Sequence, residues 1–198
     1  MAQPCGPLID IVLSRVFDPA GVGTSRNIVR DLLSRSQQVV NGALESTLTN
    51  QAMNTQPELQ VYNFERIAPA NDVLRIKGVR DGTRDLSKSD FTRLKHISSR
   101  WFARTGRRFE TFAVLGRGLL IVHPQQGITN SVNVIYVQQL AKLNAESDTV
   151  GLPDDQMPTL TRMVEALILL KQRDLTNLQV TIQDLTTQLQ PSQMTVNA

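Results

Sequence analysis

Hydrophobic residues recur at helical spacing in the first quarter of the chain, and this pattern predicts two helices. The first helix is expected over residues 8–17 and the second over residues 25–49. The apolar face of the first is formed by Leu8, Ile9, Val12, Leu13 and Val16. The apolar face of the second is formed by Ile28, Val29, Leu32, Leu33, Val39, Val40, Ala43, Leu44 and Leu48. Thr24 or Ser25 is the expected N-cap of the second helix, because a hydroxyl oxygen accepts a hydrogen bond from the first turn.

In the middle of the chain, apolar and polar residues alternate with a period of two, which is typical of strands. The alternation predicts strands over residues 59–64, 73–79, 109–114, 119–122 and 131–137. Glycines between the third and fourth of these strands predict a hairpin turn. A short helix is expected between the second and third strands, from a Ser87 cap to about Trp101. Residues 50–57 are polar without periodicity and predict no regular element.

The C-terminal part predicts a long helix with two kinds of apolar face. Asp154 and Asp155 indicate its beginning, because acidic side chains are favourable at a helix N-terminus. Residues 157–170 carry a broad apolar face that is typical of a core helix. Further on, a narrow stripe recurs at intervals of three and four residues, and it consists of Leu175, Leu178, Ile182, Leu185 and Leu189. Such a stripe suits a seam against another helix, and we take it as a candidate interface with another subunit or protein. The alternative is that the stripe folds back on the chain's own helices.

The order of these elements predicts an α+β fold, because the strands are grouped and the helices lie at the ends. The expected architecture is an N-terminal helix pair, a small antiparallel β unit with a short helix, and a long C-terminal helix. We predict a single domain over residues 1–171, with its β-rich part at 59–137 and its last helix from 155. Residues 172–198 are then a C-terminal helical extension and tail.

The net charge of +3 conceals a strongly basic central segment. Between Arg75 and Arg108 there are eleven Lys or Arg residues and three acidic ones. Four arginines in this segment surround Trp101, Phe102 and Phe109, and they form a candidate basic surface of Arg100, Arg104, Arg107 and Arg108. Arginines among aromatic residues occur in nucleic-acid binders, so a small nucleic-acid-binding module acting through residues 75–108 is one hypothesis. A solvated sheet edge and a contact with an acidic protein partner are the other interpretations.

Residue types that carry catalysis or bind metals are scarce in this sequence. His96 and His123 lack a neighbouring cysteine, serine motif or carboxylate pair, and Cys5 is the single cysteine. We therefore expect no enzymatic activity, no metal and no cofactor. No apolar run approaches the roughly 20 residues that cross a bilayer, and the N-terminus lacks the basic region of a secretion signal, so an intracellular product is expected.

Several short segments of the chain, in their order and spacing, carry a resemblance to a known family. The N-terminal helix is followed by DPAGV at 18–22 and by a capped helix with a central Gln37-Gln38 pair. In the middle, TGRRF at 105–109 leads to a strand ending in LIVHP at 120–124. Near the end, LPDD at 152–155 precedes a helix containing VEALILLK at 164–171. With these segments the chain resembles the head-to-tail adaptor (connector, or head-completion) proteins of tailed bacteriophages, most closely those of short-tailed phages.

The resemblance implies a structural role in a virion. Copies of such proteins form a homo-oligomeric ring, twelvefold in related phages, at the head-to-tail junction. The ring binds the portal protein, extends the DNA channel and gives tail nozzle, tube or fibre components a platform. It implies assembly in the host cytoplasm, at most non-specific contact with DNA, and no membrane partner. The family commonly has Pro-x-x-Tyr where this chain has Arg107-Arg108-Phe109.

Overall fold

The structure is a computed structural model that describes residues 3–16, 18, 23–63, 73–97, 101–116 and 119–189. Side chains at 95–97, 101 and 189 are outside this description. The chain divides into two compact units, one formed by Met1–Ser46 with Leu140–Ala198 and the other by Thr47–Gln139. The division differs from the predicted single domain 1–171 with an extension from 172, because the residues on both sides of position 172 belong to the first unit.

The first unit is helical, and its helices are α1 (Cys5–Arg15), α2 (Arg26–Leu44), α4 (Met157–Gln172) and α5 (Leu175–Leu189). One apolar cluster fills the space between them. It includes Leu8 and Val12 of α1, Val29 and Leu33 of α2, and Leu160 of α4. Both N-terminal helices were therefore predicted from their apolar spacing, although α1 begins earlier and α2 ends earlier than expected.

The connections of the first unit are fixed by polar groups. The Asp18 carboxylate accepts hydrogen bonds from the backbone N–H groups of Gly23 and Thr24, at 2.9 and 2.7 Å. Ser25 occupies the N-cap position of α2, but its side chain makes no capping hydrogen bond. Asp154 and Asp155 lie in a 3-10 turn, Asp154–Gln156, immediately before α4. The predicted acidic start of the C-terminal helix is thus itself a 3-10 turn, which is tighter than an α-helix, and the α-helix begins after it at Met157.

The second unit contains all the described strands and the short helix α3 (Phe91–Ile97). In chain order the strands are β1 (Leu48–Asn54), β2 (Val61–Asn63), β3 (Val73–Asp81), β4 (Arg84–Asp85), β5 (Ser87–Lys88), β6 (Thr111–Leu115), β7 (Leu119–His123) and β8 (Ser131–Gln138). They form two four-stranded sheets, in the orders β1-β8-β3-β4 and β2-β7-β6-β5. The described pairings are antiparallel except for the two-residue parallel pairing of β5 with β6.

Side chains from both sheets meet in one buried cluster. Met53, Ile76 and Val134 come from the first sheet, and Phe112 and Val122 come from the second. The sheets therefore pack face to face, as in a small sandwich. The β6–β7 hairpin was predicted, and Gly116 adopts a positive φ of 64° at its turn.

Two parts of the β unit differ from the sequence prediction. Leu48 was placed at the end of the second helix and residues 50–57 were given no regular element, but Leu48–Asn54 is strand β1. Ser87 was expected to cap α3, but it belongs to β5, and the Asp90 carboxylate accepts from the N–H of Thr92 at 3.2 Å instead. In both places the polar residues have weak secondary-structure preferences, so pairing with strands distant in sequence determines their conformation. The α+β class is nevertheless confirmed, with four of the described α-helices in one unit and both sheets, together with the short helix α3, in the other.

Candidate assembly surface

The predicted C-terminal helix is two helices joined by a sharp turn. Arg173 has a left-handed backbone, with φ of 61°, and its N–H donates to the carbonyl of Leu170 at 3.2 Å. The Asp174 carboxylate then accepts from the N–H of Asn177 at 3.2 Å, as a helix-starting residue does. Because of this turn, α5 folds back and packs against α4.

The leucine stripe of α5 is divided between the chain's own core and its surface. Leu178 is 9% exposed, and Leu185 packs against the same apolar cluster of the first unit. For these two residues the fold-back alternative is correct, and the hypothesis of a seam with another molecule is wrong. Leu175 and Ile182 are 69% and 49% exposed, so they remain candidates for an interface. The side chain of Leu189 lies outside the described residues.

Leu175 and Ile182 are accompanied by exposed leucines on α4. Leu170 is 55% exposed and Leu167 is at the surface as well. Leu167 and Leu170 are three residues apart on one face of α4, and Leu175 and Ile182 are two turns apart on α5. Leu170 and Leu175 flank the turn at Arg173. We call Leu167, Leu170, Leu175 and Ile182 the corner patch.

A polar groove is formed where α1, α4 and α5 meet. The groove encloses about 380 Å³ and is lined by Ser14, Arg15, Arg162, Glu165, Leu169, Asn177, Val180 and Thr181. Arg162 donates to the buried Glu165 carboxylate at 3.0 Å and lies 3.4 Å from Asp184 of α5. Arg15 donates to the Thr161 hydroxyl at 3.2 Å. These polar contacts link three helices and fix the position of α5.

A row of buried polar residues on α2 holds the extended segment that follows the β unit. The Gln37 amide donates to the carbonyl of Ala141 at 2.7 Å and accepts from the N–H of Gly151 at 3.4 Å. The Gln38 amide bonds both backbone groups of Leu140, at 2.6 and 3.0 Å. The sequence points to the Gln37-Gln38 pair only through the family resemblance, and it does not predict the pair's role as a backbone clamp. Polar residues on the inward face of an apolar helix were the signal for it.

The start of α1 lies beside a charged cluster. Arg26 donates to the Glu146 carboxylate at 2.7 Å, and this hydrogen bond lowers the pKa of Glu146 below its usual range. The Cys5 thiol is buried at the start of α1. Its burial, together with the negative charge of Glu146, raises the pKa of Cys5 to about 11. Cys5 is therefore a neutral core residue at physiological pH.

The candidate basic surface is only partly described. Arg100 lies outside the described residues, while Arg104, Arg107 and Arg108 are exposed between the 3-10 turn Trp101–Ala103 and β6. Arg104 lies 3.4 Å from the Glu110 carboxylate. Burial and the positive charge of Arg104 lower the pKa of His123. These arginines can meet an acidic surface. Of the aromatic residues beside them, Phe109 is buried and offers no stacking face, whereas Phe102 is 61% exposed.

Among the described residues, no three His, Cys, Asp or Glu side chains cluster in a way that could hold a metal ion. Among the described helices, none has the length and apolarity to cross a bilayer. Compared with models of known protein families the chain matches none, and no curated protein matches its sequence.

Proposed function

We propose that this protein is a structural component of a phage virion and forms an adaptor ring between the portal vertex and the tail. The corner patch is the structural observation that supports the proposal best. Its four aliphatic side chains are 37–69% exposed, so each leaves apolar surface that the isolated subunit does not bury. The order of sequence segments shared with head-to-tail adaptors supplies the identity of the assembly.

In this proposal the corner patch contacts the portal protein or the neighbouring copy. The four side chains of the patch are aliphatic, and they stand on two helices that are linked by the contact of Arg162 with Asp184. A rigid apolar surface of this kind loses little conformational entropy when it is buried. The other two described leucines of the stripe, Leu178 and Leu185, stabilise the subunit itself because they pack in its core.

The test is binding to rings of the portal protein encoded with this chain. Leu175→Asp and Ile182→Asp together should abolish co-sedimentation with portal rings, because two charges would be buried without partners. The matched control is Ile128→Asp, which changes an isoleucine of the β unit that is 67% exposed, close to the 69% of Leu175. Normal binding by the double variant would contradict the role of the corner patch.

A nucleic-acid-binding module is the second candidate, and the exposure of Arg107 and Arg108 is the observation in its favour. This candidate predicts tight binding to free duplex DNA with a steep dependence on salt. Arg107→Ala with Arg108→Ala should then weaken binding and reduce the salt dependence. Only weak, non-specific affinity at physiological salt would leave the adaptor role as the better explanation.

A further inference from the structure

Each four-stranded sheet of the β unit has two edge strands, and they differ in how well they are protected. β4 and β5 have two residues each and carry charge, and β2 has three residues. β1 has seven residues, LTNQAMN, with no charge, proline or glycine. Natural sheets protect their edges by short length, charge, proline or bulges. Among the described strands, β1 is the edge without any of these protections.

The hydrogen-bond pattern shows which backbone groups of β1 face the open side. Thr55 donates to the carbonyl of Asn130 at 2.7 Å, and Gln138 donates to the carbonyl of Thr47 at 3.0 Å. Since antiparallel pairs alternate along the strand, odd-numbered residues of β1 direct their backbone groups toward β8. The backbone groups of the even-numbered residues point away from β8, and these residues are Leu48, Asn50, Ala52 and Asn54. In the part of the chain that the structure describes, no strand pairs with that side.

The geometry of β1 is also regular enough to accept another strand. Its seven residues pair with β8 in an unbroken register, from Leu48 with Val137 to Asn54 with Ser131. By contrast, the pairing of β3 with β8 contains two register shifts. A bulge would twist an edge away from an incoming strand, and β1 has none.

We propose that β1 pairs with β1 of a second copy of this chain. The strands run antiparallel about a two-fold axis at Asn50, so that Leu48 lies opposite Ala52 of the second copy. Aliphatic residues then face each other on both sides of the axis, and the Asn50 amides meet at its centre. The outward backbone groups at positions 48, 50 and 52 exchange about six hydrogen bonds.

A second copy fits this edge because the strand carries no charge. In a two-fold pairing any charge near the axis lies close to the same charge of the other copy, and like charges opposite each other are destabilising. The pairing is isologous and closes at two copies, so it differs from the ring contact. Five paired residues on each side bury less than the roughly 1,000 Å² of a stable interface, so the dimer is weak and concentration-dependent.

Sedimentation velocity of the full chain tests this pairing over about a hundredfold range of protein concentration. The wild-type protein should pass from monomer to dimer within that range. Asn50→Lys and Asn50→Asp should each be monomeric when alone, with the dissociation constant raised at least about tenfold. An equimolar mixture of the two variants should dimerise again, because opposite charges then meet at the axis. Asn133→Lys and Asn133→Asp are matched controls on the central strand β8, and they should dimerise like the wild type.

A second variant acts on the backbone. Ala52→Pro removes an outward N–H group while leaving the ladder to β8 intact, as proline is tolerated on the open side of an edge strand. It should abolish the dimer and leave the circular dichroism spectrum unchanged. A wild type that stays monomeric, or a mixture that stays monomeric, would overturn the proposal. So would equal loss of dimer in the Asn133 variants. The corner-patch variants should keep the dimer, so failure of the ring assignment and failure of β1 pairing give different results.

Discussion

At the scale of single residues, buried polar side chains determine how the first unit closes. Gln37 is fully buried in α2, yet both ends of its amide bond backbone groups of the segment after β8. Gln38 bonds a single residue, Leu140, through both ends of its amide. Removing such a partner leaves buried backbone groups unsatisfied, which costs more than the hydrogen bond itself contributes.

The first prediction concerns this glutamine pair. Gln37→Ala should lower the free energy of unfolding by about 2–3 kcal/mol, since it also leaves a cavity. Gln38→Ala, at a half-buried position, should cost about 1–2 kcal/mol. Urea denaturation measures both, with the exposed Arg35→Ala of the same helix as control. Equal stability of Gln37→Ala and Arg35→Ala would contradict the clamp.

The second prediction concerns the buried thiol. Because burial holds the pKa of Cys5 at about 11, the native protein should react with Ellman's reagent far more slowly than the urea-unfolded protein at pH 8. The folded state retains the proton that the unfolded state loses above its pKa of 9.0. Stability from this group is therefore complete below pH 9 and is lost as the pH rises through 11. Cys5→Ala should show a weaker loss of stability over that interval, and rapid labelling of the native thiol would contradict its burial.

At the scale of elements, the turn at Arg173 decides where the C-terminal helix lies. A left-handed residue with a side chain costs about 1–2 kcal/mol, and glycine avoids that cost. Without this turn α5 would continue away from α4, and Leu178 and Leu185 would be exposed. The narrow stripe correctly indicated a helix that needs a neighbour, but the neighbour of half the stripe is α4.

The third prediction tests this turn directly. Arg173→Gly should keep the fold and raise the free energy of unfolding by up to about 1 kcal/mol. Lys171→Gly, two residues earlier in the last turn of α4, should lower it by about 0.5–1 kcal/mol. Thermal and urea unfolding of the two variants provide the comparison. A loss of stability on Arg173→Gly would show that the turn is not left-handed.

The fourth prediction compares the two halves of the stripe. Leu178→Ala should cost about 2–4 kcal/mol because its side chain lies in the core, and Ile182→Ala should cost less than about 1 kcal/mol because it is half exposed. Urea denaturation distinguishes them. Similar costs for both variants would contradict the orientation of α5.

Much of this arrangement follows from local patterns, and the remainder depends on contacts distant in sequence. The apolar spacing located α1, α2 and α4, and the alternation located β3, β6, β7 and β8, because these elements bury one continuous face. β1 was missed because Asn50, Gln51 and Asn54 have weak strand preferences and only Met53 is buried in it. The break before α5 was missed because arginine gives no sign of a left-handed backbone. The sequence shows that the whole stripe is apolar. Which of its residues are buried and which are exposed depends on how α5 packs against α4, and the local pattern does not give this packing.

At the scale of the whole molecule, the two proposals use two different surfaces of the part of the chain that the structure describes. The corner patch belongs to the helical unit, and the open edge of β1 belongs to the β unit. The corner patch is formed by exposed aliphatic side chains, which suits it to burial against a partner. The open edge of β1 offers backbone hydrogen bonds, and in the proposed two-fold pairing one further copy of the chain is enough to occupy it. Taken together, the two proposals predict a weak pair in solution and a ring at the place of assembly.

The central claim, that this chain forms a ring at the portal vertex, is tested most directly by electron cryo-microscopy of that vertex. The proposal predicts that a tailed phage encodes this chain, so the sample is purified particles of that phage, reconstructed locally at the tail-bearing vertex. We predict a ring of density between portal and tail into which each of the two units fits, with the corner patch buried against portal or neighbour. A well-resolved junction whose every density belongs to other chains would contradict the account.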